Sequence, residues 1–368
     1  MKKYHLLIFV LLNLILAGCW DQHHLVNKTF VNGIGYDLTE DGNVKVTVRA
    51  VNIEGKGGGQ FDVQDELLFA EKKVQSGLGT EIDSMVAGEV DFSQAHIILI
   101  GDEMAKTGIN KLLEFYYRGK DANIAKKVAI AKGTAESVLA TEMEKSPIAF
   151  FMLQSIEGAE NASYLPDESI SSIWTKLLTP GKDLVLPYLE QVTPEKIRIA
   201  GVALMNGDQF SGKSLNIDQS SLLLLMMDQL KKTSKMSLVL DEATNESITI
   251  STKKVKRQFD LDVNEQSGSV TATINLKLKI VVDSYPNHLN QNLDEKELNQ
   301  KISKELTRMA KEIVNRLMEA NCDPFGIGLR VSTAYPETWK NMDWKKDFKN
   351  ITIKPDIEVE IIKTGSIY

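Results

Sequence analysis

The chain has 368 residues, 43% of them apolar and 25% charged, so it exceeds the usual size of a single core and two or three globular domains are predicted. With 43 Lys and Arg against 50 Asp and Glu, its formal charge is −7, which argues against nucleic acid as a partner and gives no electrostatic attraction to anionic lipid. Cys19 and Cys322, the two cysteines, allow at most one disulfide and exclude a disulfide-built scaffold.

The N-terminus carries the first signal. Lys2 and Lys3 precede an apolar stretch over residues 6–17, interrupted only by Asn13, and "LAGC" ends it at Cys19. A membrane span needs about 20 apolar residues, so this one reads as a signal peptide. Leu16, Ala17, Gly18 and Cys19 match a bacterial lipobox, in which the cysteine thiol receives a diacylglycerol and becomes the new N-terminus. An ordinary signal peptide cut near Gly18 is the alternative. Acylation of Cys19 would leave only the Cys322 thiol and no intramolecular bridge, and two or more acyl chains anchor a protein stably to a bilayer. The expected organisation is a signal peptide over 1–18 and a lipidated tether over 19–28.

Residues 29–36 and 44–53 read as strands joined by a turn at Glu40, Asp41, Gly42 and Asn43. The glycine cluster "EGKGGGQ" at 54–60 reads as a mobile loop. Helical spacing follows at 80–87 and a strand at 96–100. Asp102 is placed to cap a helix whose apolar positions include Ile109, Leu112, Leu113 and Tyr116. Another strand at 125–131 and a helix at 135–143 complete an alternation that predicts a mixed sheet covered by helices. Pro180, Pro187 and Pro194 are unsuited to helix interiors or central strands, which places a domain boundary at 194/195. Beyond it, strands are expected at 197–206, 237–240, 246–252, 270–282 and 351–362, the last with its apolar residues at odd positions on one face. Asp294 is the expected cap of the longest helix, striped by Leu298, Ile302, Leu306, Met309, Ile313 and Leu317. The fold class is multidomain α+β, with domains at 29–194 and 195–368 and a possible subdivision of the second near 266–269.

Gly207 to Ser214, "GDQFSGKS", satisfies the G-x-x-x-x-G-K-[ST] phosphate-loop pattern, and "SLVLDE" downstream imitates the acid-tipped strand that often accompanies it. A phosphate loop must run from a strand straight into a helix. Here Lys213 is followed by Leu215, Asn216 and Ile217 before a helix capped near Asp218, so "GVALMN" and "QFSGKSLNI" read as a hairpin turning at Asn206, Gly207 and Asp208. No nucleotide is expected. His23 and His24 are adjacent and lack companions for a metal site; no G-x-S-x-G elbow suggests a hydrolase. Neither catalytic residues, cofactor nor metal are assigned.

From Cys19 onward the chain resembles the spore germination C-subunit lipoproteins, the Ger(x)C family of nutrient germinant receptors. The resemblance is carried by the lipobox with "CWD", "GIGYD", "IGDEMAKTGI", "YRGKDANIAKKVAIAKGTA" and "PGKDLVLPYL", then by the "GVALMNGDQFSGKSLNIDQSSLLLL" block, "CDPFGIG" and "WKKDFKNITIKPDIEVEIIKTG". It implies several α+β domains and a place in a three-part receptor of the spore inner membrane, beside a multispanning B subunit and an A subunit with membrane and soluble parts. Of the family's functional residues, the acylated cysteine carries over onto Cys19. The expected function is a noncatalytic lipoprotein subunit on the extracytoplasmic face of that membrane, working in nutrient germination through contact with A and B. An extracytoplasmic solute-binding lipoprotein is the alternative.

Overall fold

The computed structural model describes residues 28–57, 60–73, 77–86, 89–118, 123–142, 147–241, 246–284 and 295–364. Strand β1 (Lys28–Leu38) turns through Gly42, at φ +77°, into β2 (Val44–Gly57), with Leu38 opposite Val44. The glycine-rich stretch expected as a loop instead ends β2 and begins β3 (Gln60–Lys72), with Gly57 opposite Gln60. Backbone pairing needs no side chain, so the glycines join the ladder at the cost of a register irregularity between Gly55 and Gly57.

The chain then alternates through α1 (Leu78–Asp83), β4 (Glu89–Asp91), β5 (Ile97–Gly101), α2 (Asp102–Lys106), α3 (Asn110–Arg118), β6 (Lys127–Ala131), α4 (Ala135–Leu139), α5 (Ile148–Asn161) and α6 (Ile170–Leu177). Strands β7 (Val185–Thr193), β8 (Lys196–Asn206) and β9 (Gln209–Leu215) complete one sheet ordered β3-β2-β1-β5-β6-β7-β8-β9, with β4 beside β1. Strands β1, β5, β6 and β7 run parallel in its middle, and antiparallel hairpins close both ends. Every residue of β5 is buried because helices cover both faces: Ile98 and Ile100 meet α1, α2, α3 and α6, while Ile97 and Leu99 meet α4 and α5.

The single helix expected after Asp102 is two, broken at Gly108 with φ +110°. Its N-cap is Gly101 rather than Asp102, whose carboxylate is engaged elsewhere. Pro187 lies inside β7 opposite Val202, one residue before the two-residue ladder with β6 begins at Tyr188, so no bond to β6 is demanded of its missing N–H. The first sheet thus crosses residues 194/195 and runs on to Leu215.

Helix α7 (Ile217–Met226) is capped by Asn216 in a reciprocal box with Gln219, two residues earlier than the expected Asp218. Strands β10 (Ser234–Asp241), β11 (Glu246–Asn264), β12 (Ser269–Ser284) and β13 (Thr352–Thr364) form the second sheet in that order. Residues 265–268, overlapping the 266–269 stretch where a subdivision was expected, form the turn of the long β11–β12 hairpin, which pairs from Asn264 opposite Ser269 onward. Helix α8 (Glu295–Ala320) links β12 to the parallel β13 and buries its whole apolar stripe; its expected cap, Asp294, lies outside the described residues. Ile351, Ile353, Ile357 and Ile361 are buried on one face as their odd spacing predicts.

Alongside that stripe α8 carries a second, polar one. Asn299, Ser303 and Thr307 accept hydrogen bonds from the backbone N–H groups of Ile361, Val359 and Ile357 at 3.0, 3.0 and 3.1 Å. Four helical residues advance about 6 Å and two strand residues about 6.6 Å, so the periods match over three steps. The open edge of β13 is thereby closed by its own crossover helix. A continuous core runs from α4, α5 and α7 beneath the first sheet to α8 on the second.

Candidate functional site

The quoted motifs are scattered along the chain, and the structure gives several of them a physical task. In "GIGYD", Cβ atoms at Gly33 and Gly35 would stand 3.0 and 2.9 Å from Leu139 and, for Gly35, 2.9 Å from Ala135, so the glycines let α4 lie directly on β1. Asp37 then accepts the first N–H groups of α4, from Ala135 at 2.7 Å and Glu136 at 2.9 Å. A Cβ at Gly101 would collide with Asp37 at 2.1 Å, which accounts for glycine at the start of "GDEM". Asp102 in turn accepts from Gly133 N–H at 3.1 Å and from the Tyr188 hydroxyl at 3.1 Å, joining α2 to the β6 exit and β7. Burial raises both carboxyls above their ordinary range, and these N–H donors pull against it.

Parts of four other motifs meet where the first sheet joins the C-terminal layer. Asp183, from "PGKD", accepts the Gly207 N–H and the Asp323 N–H, both at 2.8 Å. Its own N–H donates to the Asp323 carbonyl at 2.8 Å. Asp323, from "CDPFGIG", accepts Ile327 N–H at 3.1 Å, Gly328 N–H at 2.9 Å and Trp344 Nε1–H at 3.2 Å, tying α9 (Ile327–Ala334) to the short helix Trp344–Asp347. Gly181 and Gly328 touch backbone to backbone: a Cβ on the first would lie 2.4 Å from Gly328 C, and one on the second 2.5 Å from the Trp344 ring. Burial pushes Asp323 up to about 7 and raises Asp183, with the N–H donors opposing in both cases. The Cys322 thiol is buried, driven well above its ordinary value, and donates to the Leu184 carbonyl at 3.6 Å. A raised pKa makes it a poor nucleophile. A cleft of about 520 Å³ opens beside this junction, with Lys182, Asp208, Trp339 and Lys345 in its wall.

The apparent phosphate loop belongs to the same junction. Gly207, at φ +60°, and Asp208 form the two-residue turn between β8 and β9, as the hairpin reading predicts. The Gly207 amide, which a phosphate loop would offer to a nucleotide, is spent on Asp183. Lys213 points from β9 to Glu319 of α8 at 3.2 Å, both exposed. Asp208 also receives α3, its carbonyl accepting Ile109 N–H at 2.8 Å, so "KTGIN" docks on the turn as well.

Cys19, His23 and His24 lie outside the described residues. Among the described residues, no group of three or more His, Cys, Asp or Glu is placed to hold a metal, and no helix is long and apolar enough to cross a membrane. Sequence reasoning quoted the junction motifs without assigning Asp183, Asp323 or Trp344 a role. The available signal was an acid within three residues of a glycine in each of "PGKD", "NGD" and "CDPFGIG", a pattern suited to carboxylates that accept backbone N–H groups at tight turns.

A two-sheet α+β chain with its motifs gathered at internal joints defines a class of multidomain scaffold, and comparison with known proteins places it further. The family model described as spore germination protein N-terminal domain matches residues 21–191, and the one described as spore germination B3/GerAC like, C-terminal, matches 200–365. The chain belongs to this GerAC, or Ger(x)C, family of spore germination proteins. Spore germination protein GerQC of Bacillus cereus is 20% identical over 366 residues, covering 99% of each chain. Spore germination protein KC of Bacillus subtilis (strain 168) is 21% identical, over 99% of this chain and 96% of its own. The crystal structure of the GerBC protein superposes with a TM-score of 0.59 at 17% identity, over 90% of this chain and 97% of that one, and has the same α+β fold.

Proposed function

We propose that this protein is the lipid-tethered, noncatalytic C-type subunit of a nutrient germinant receptor. A role in spore germination follows from its family; the finer reading adds a signal peptide over 1–18, acylation of Cys19, a tether over 19–28 and residence on the extracytoplasmic face of the spore inner membrane. The observation that carries it is the near-complete tiling of residues 21–365 by the two family models directly behind a lipobox. A chain held to the bilayer only by lipid has no route of its own across it, so it acts through contact with the A and B subunits. Confinement to one membrane raises the partners' effective concentration, so a modest interface suffices. The same reading divides the folded part at 194/195, with β8 and β9 reaching back from the second domain to complete the first domain's sheet.

Deletion of its gene is expected to abolish germination with one receptor's nutrient while other nutrients still act, and Cys19→Ala is expected to remove the lipid mass from the mature N-terminus. Normal germination of the deletion strain with every nutrient would refute the receptor role. A wild-type N-terminus without lipid would refute the anchor.

A further inference from the structure

Arg257 stands on β11 opposite Leu276, with its Nε and Nη2 groups buried and without a hydrogen-bond partner among the described residues. Its guanidinium lies 4.8 Å from the centre of the Phe259 ring, and Arg330, in the first turn of α9, lies 4.4 Å from the same ring. The Lys182 stem packs on the same turn: a Cβ at Gly326 would be 3.4 Å from Lys182 Cδ, and the Gly326 carbonyl accepts the Arg330 N–H at 3.2 Å. Three cations therefore converge at one end of α9.

Among the described residues no acid is close enough to pair with them: Asp228, Glu168 and Asp323 act on them only across a distance. Among the described residues none of the three makes an ion pair or a side-chain hydrogen bond. Glu168 is held by Lys176 and Ser172, Asp323 by its three N–H donors, and Asp228 stays beyond ion-pair distance of Arg257. Burial disfavours the charge on Lys182 and Arg257, and their cationic neighbours, Lys176 for one and Arg330 for the other, add to that. Both guanidinium groups lie over the Phe259 ring, which offers charge attraction but no lone pair, and the Nε and Nη2 groups of Arg257 have no acceptor among the described residues. Buried N–H donors of this kind call for an acceptor.

We propose that Lys182, Arg257 and Arg330 form a binding site for a phosphate-type oxyanion, supplied either as inorganic phosphate or as the phosphate of an anionic lipid headgroup. Two planar guanidinium forks suit an oxyanion with several acceptor oxygens, and a third cation suits one carrying more than a single charge.

The test uses the full mature chain in neutral detergent at constant ionic strength. Inorganic phosphate is titrated by calorimetry in one arm and monomeric dihexanoylphosphatidylglycerol in the other; the arm that saturates identifies the source. Arg257→Gln and Arg330→Gln are each expected to weaken binding about tenfold, the usual scale of a lost charge-assisted bond. Arg257→Lys should retain part of the affinity and the distant Lys213→Ala all of it. In anion-free buffer Arg257→Gln should melt no lower than the parent, since relief of a partly buried charge with unpaired N–H groups offsets the lost contact with the Phe259 ring. Arg330 is exposed, so its variant carries the test if the Arg257 variant fails to fold. Absence of binding in both arms, or binding that neither arginine variant weakens, would overturn the site.

Discussion

Gly328→Ala should break the junction by steric means alone, and its cost can be worked from the contacts. The added methyl would stand 2.5 Å from Trp344 Cε2 and Nε1 and 2.7 Å from Gly181 Cα. Ordinary carbon contacts are at about 3.5 Å, so one of these groups must retreat by about 1 Å. Gly181 is pinned by its carbonyl, which accepts Leu329 N–H at 2.9 Å. Trp344 is 9% exposed, packs against Trp339 and Phe348 with ring centres 5.7 and 5.9 Å away, and can move only by releasing Asp323. Overpacking of about 1–3 kcal/mol and one lost hydrogen bond of about 1 kcal/mol together give a loss of about 2–4 kcal/mol. The control is Gly207→Ala, where φ is +60° and the nearest atom is Lys345 Nζ at 3.8 Å, leaving only a conformational cost of about 1 kcal/mol. Urea unfolding followed by tryptophan fluorescence measures both. A Gly328→Ala midpoint as high as that of Gly207→Ala would refute the claim that two backbones and an indole are locked together here.

Asn299→Ala, Ser303→Ala and Thr307→Ala combined should cost about 1–3 kcal/mol, three bonds less the gain in helix propensity, and should speed hydrogen exchange at Ile357, Val359 and Ile361 selectively. Unchanged exchange at those three amides would dismiss the edge-closing role. Lys213→Ala should alter stability by no more than about 0.5 kcal/mol, because it loses one exposed ion pair, and no ATP binding should be measurable before or after. The folded Asp323 carboxyl titrates at about 7, above the ordinary unfolded carboxylate value of about 3.9, so the native state holds the extra proton between those pH values. Stability should therefore fall as pH rises from about 4 to 7 and then level, and Asp323→Asn should lessen that slope in denaturation series across this range.

Much of this architecture could be read in advance where periodicity is strong and burial one-sided. The α8 stripe from Leu298 to Leu317 and the odd-numbered isoleucines of β13 are cases where one face alone decides the element. Strand β3 escaped because Asp62, Asp65 and Glu66 interrupt its apolar pattern, although backbone pairing to β2 holds it. The break at Gly108 was hidden inside a convincing helical spacing, since only the Asp208 turn docking there requires it. The phosphate-loop text reads as a hairpin on local grounds, the distance from Lys213 to the next helix, and β8 and β9 pair as that reading predicts. Its positive role, an amide offered to Asp183, depends on a residue 24 positions away and no local rule reveals it. The Asp183–Asp323 junction spans 140 positions for the same reason. Apart from the Trp344 indole, its partners are backbone N–H groups, which leave almost no trace in side-chain chemistry.

As proposed above, the protein would work as one member of a membrane receptor. Affinity purification from mild-detergent extracts of spores, with a tag at the chain's C-terminus and mass spectrometry of the eluate, measures this most directly. The A and B subunits of a single receptor are expected to co-elute with it in comparable amounts, and to be lost from the eluate when Cys19→Ala removes the tether. Recovery of the lipidated wild-type protein alone, free of both membrane subunits, would contradict the account.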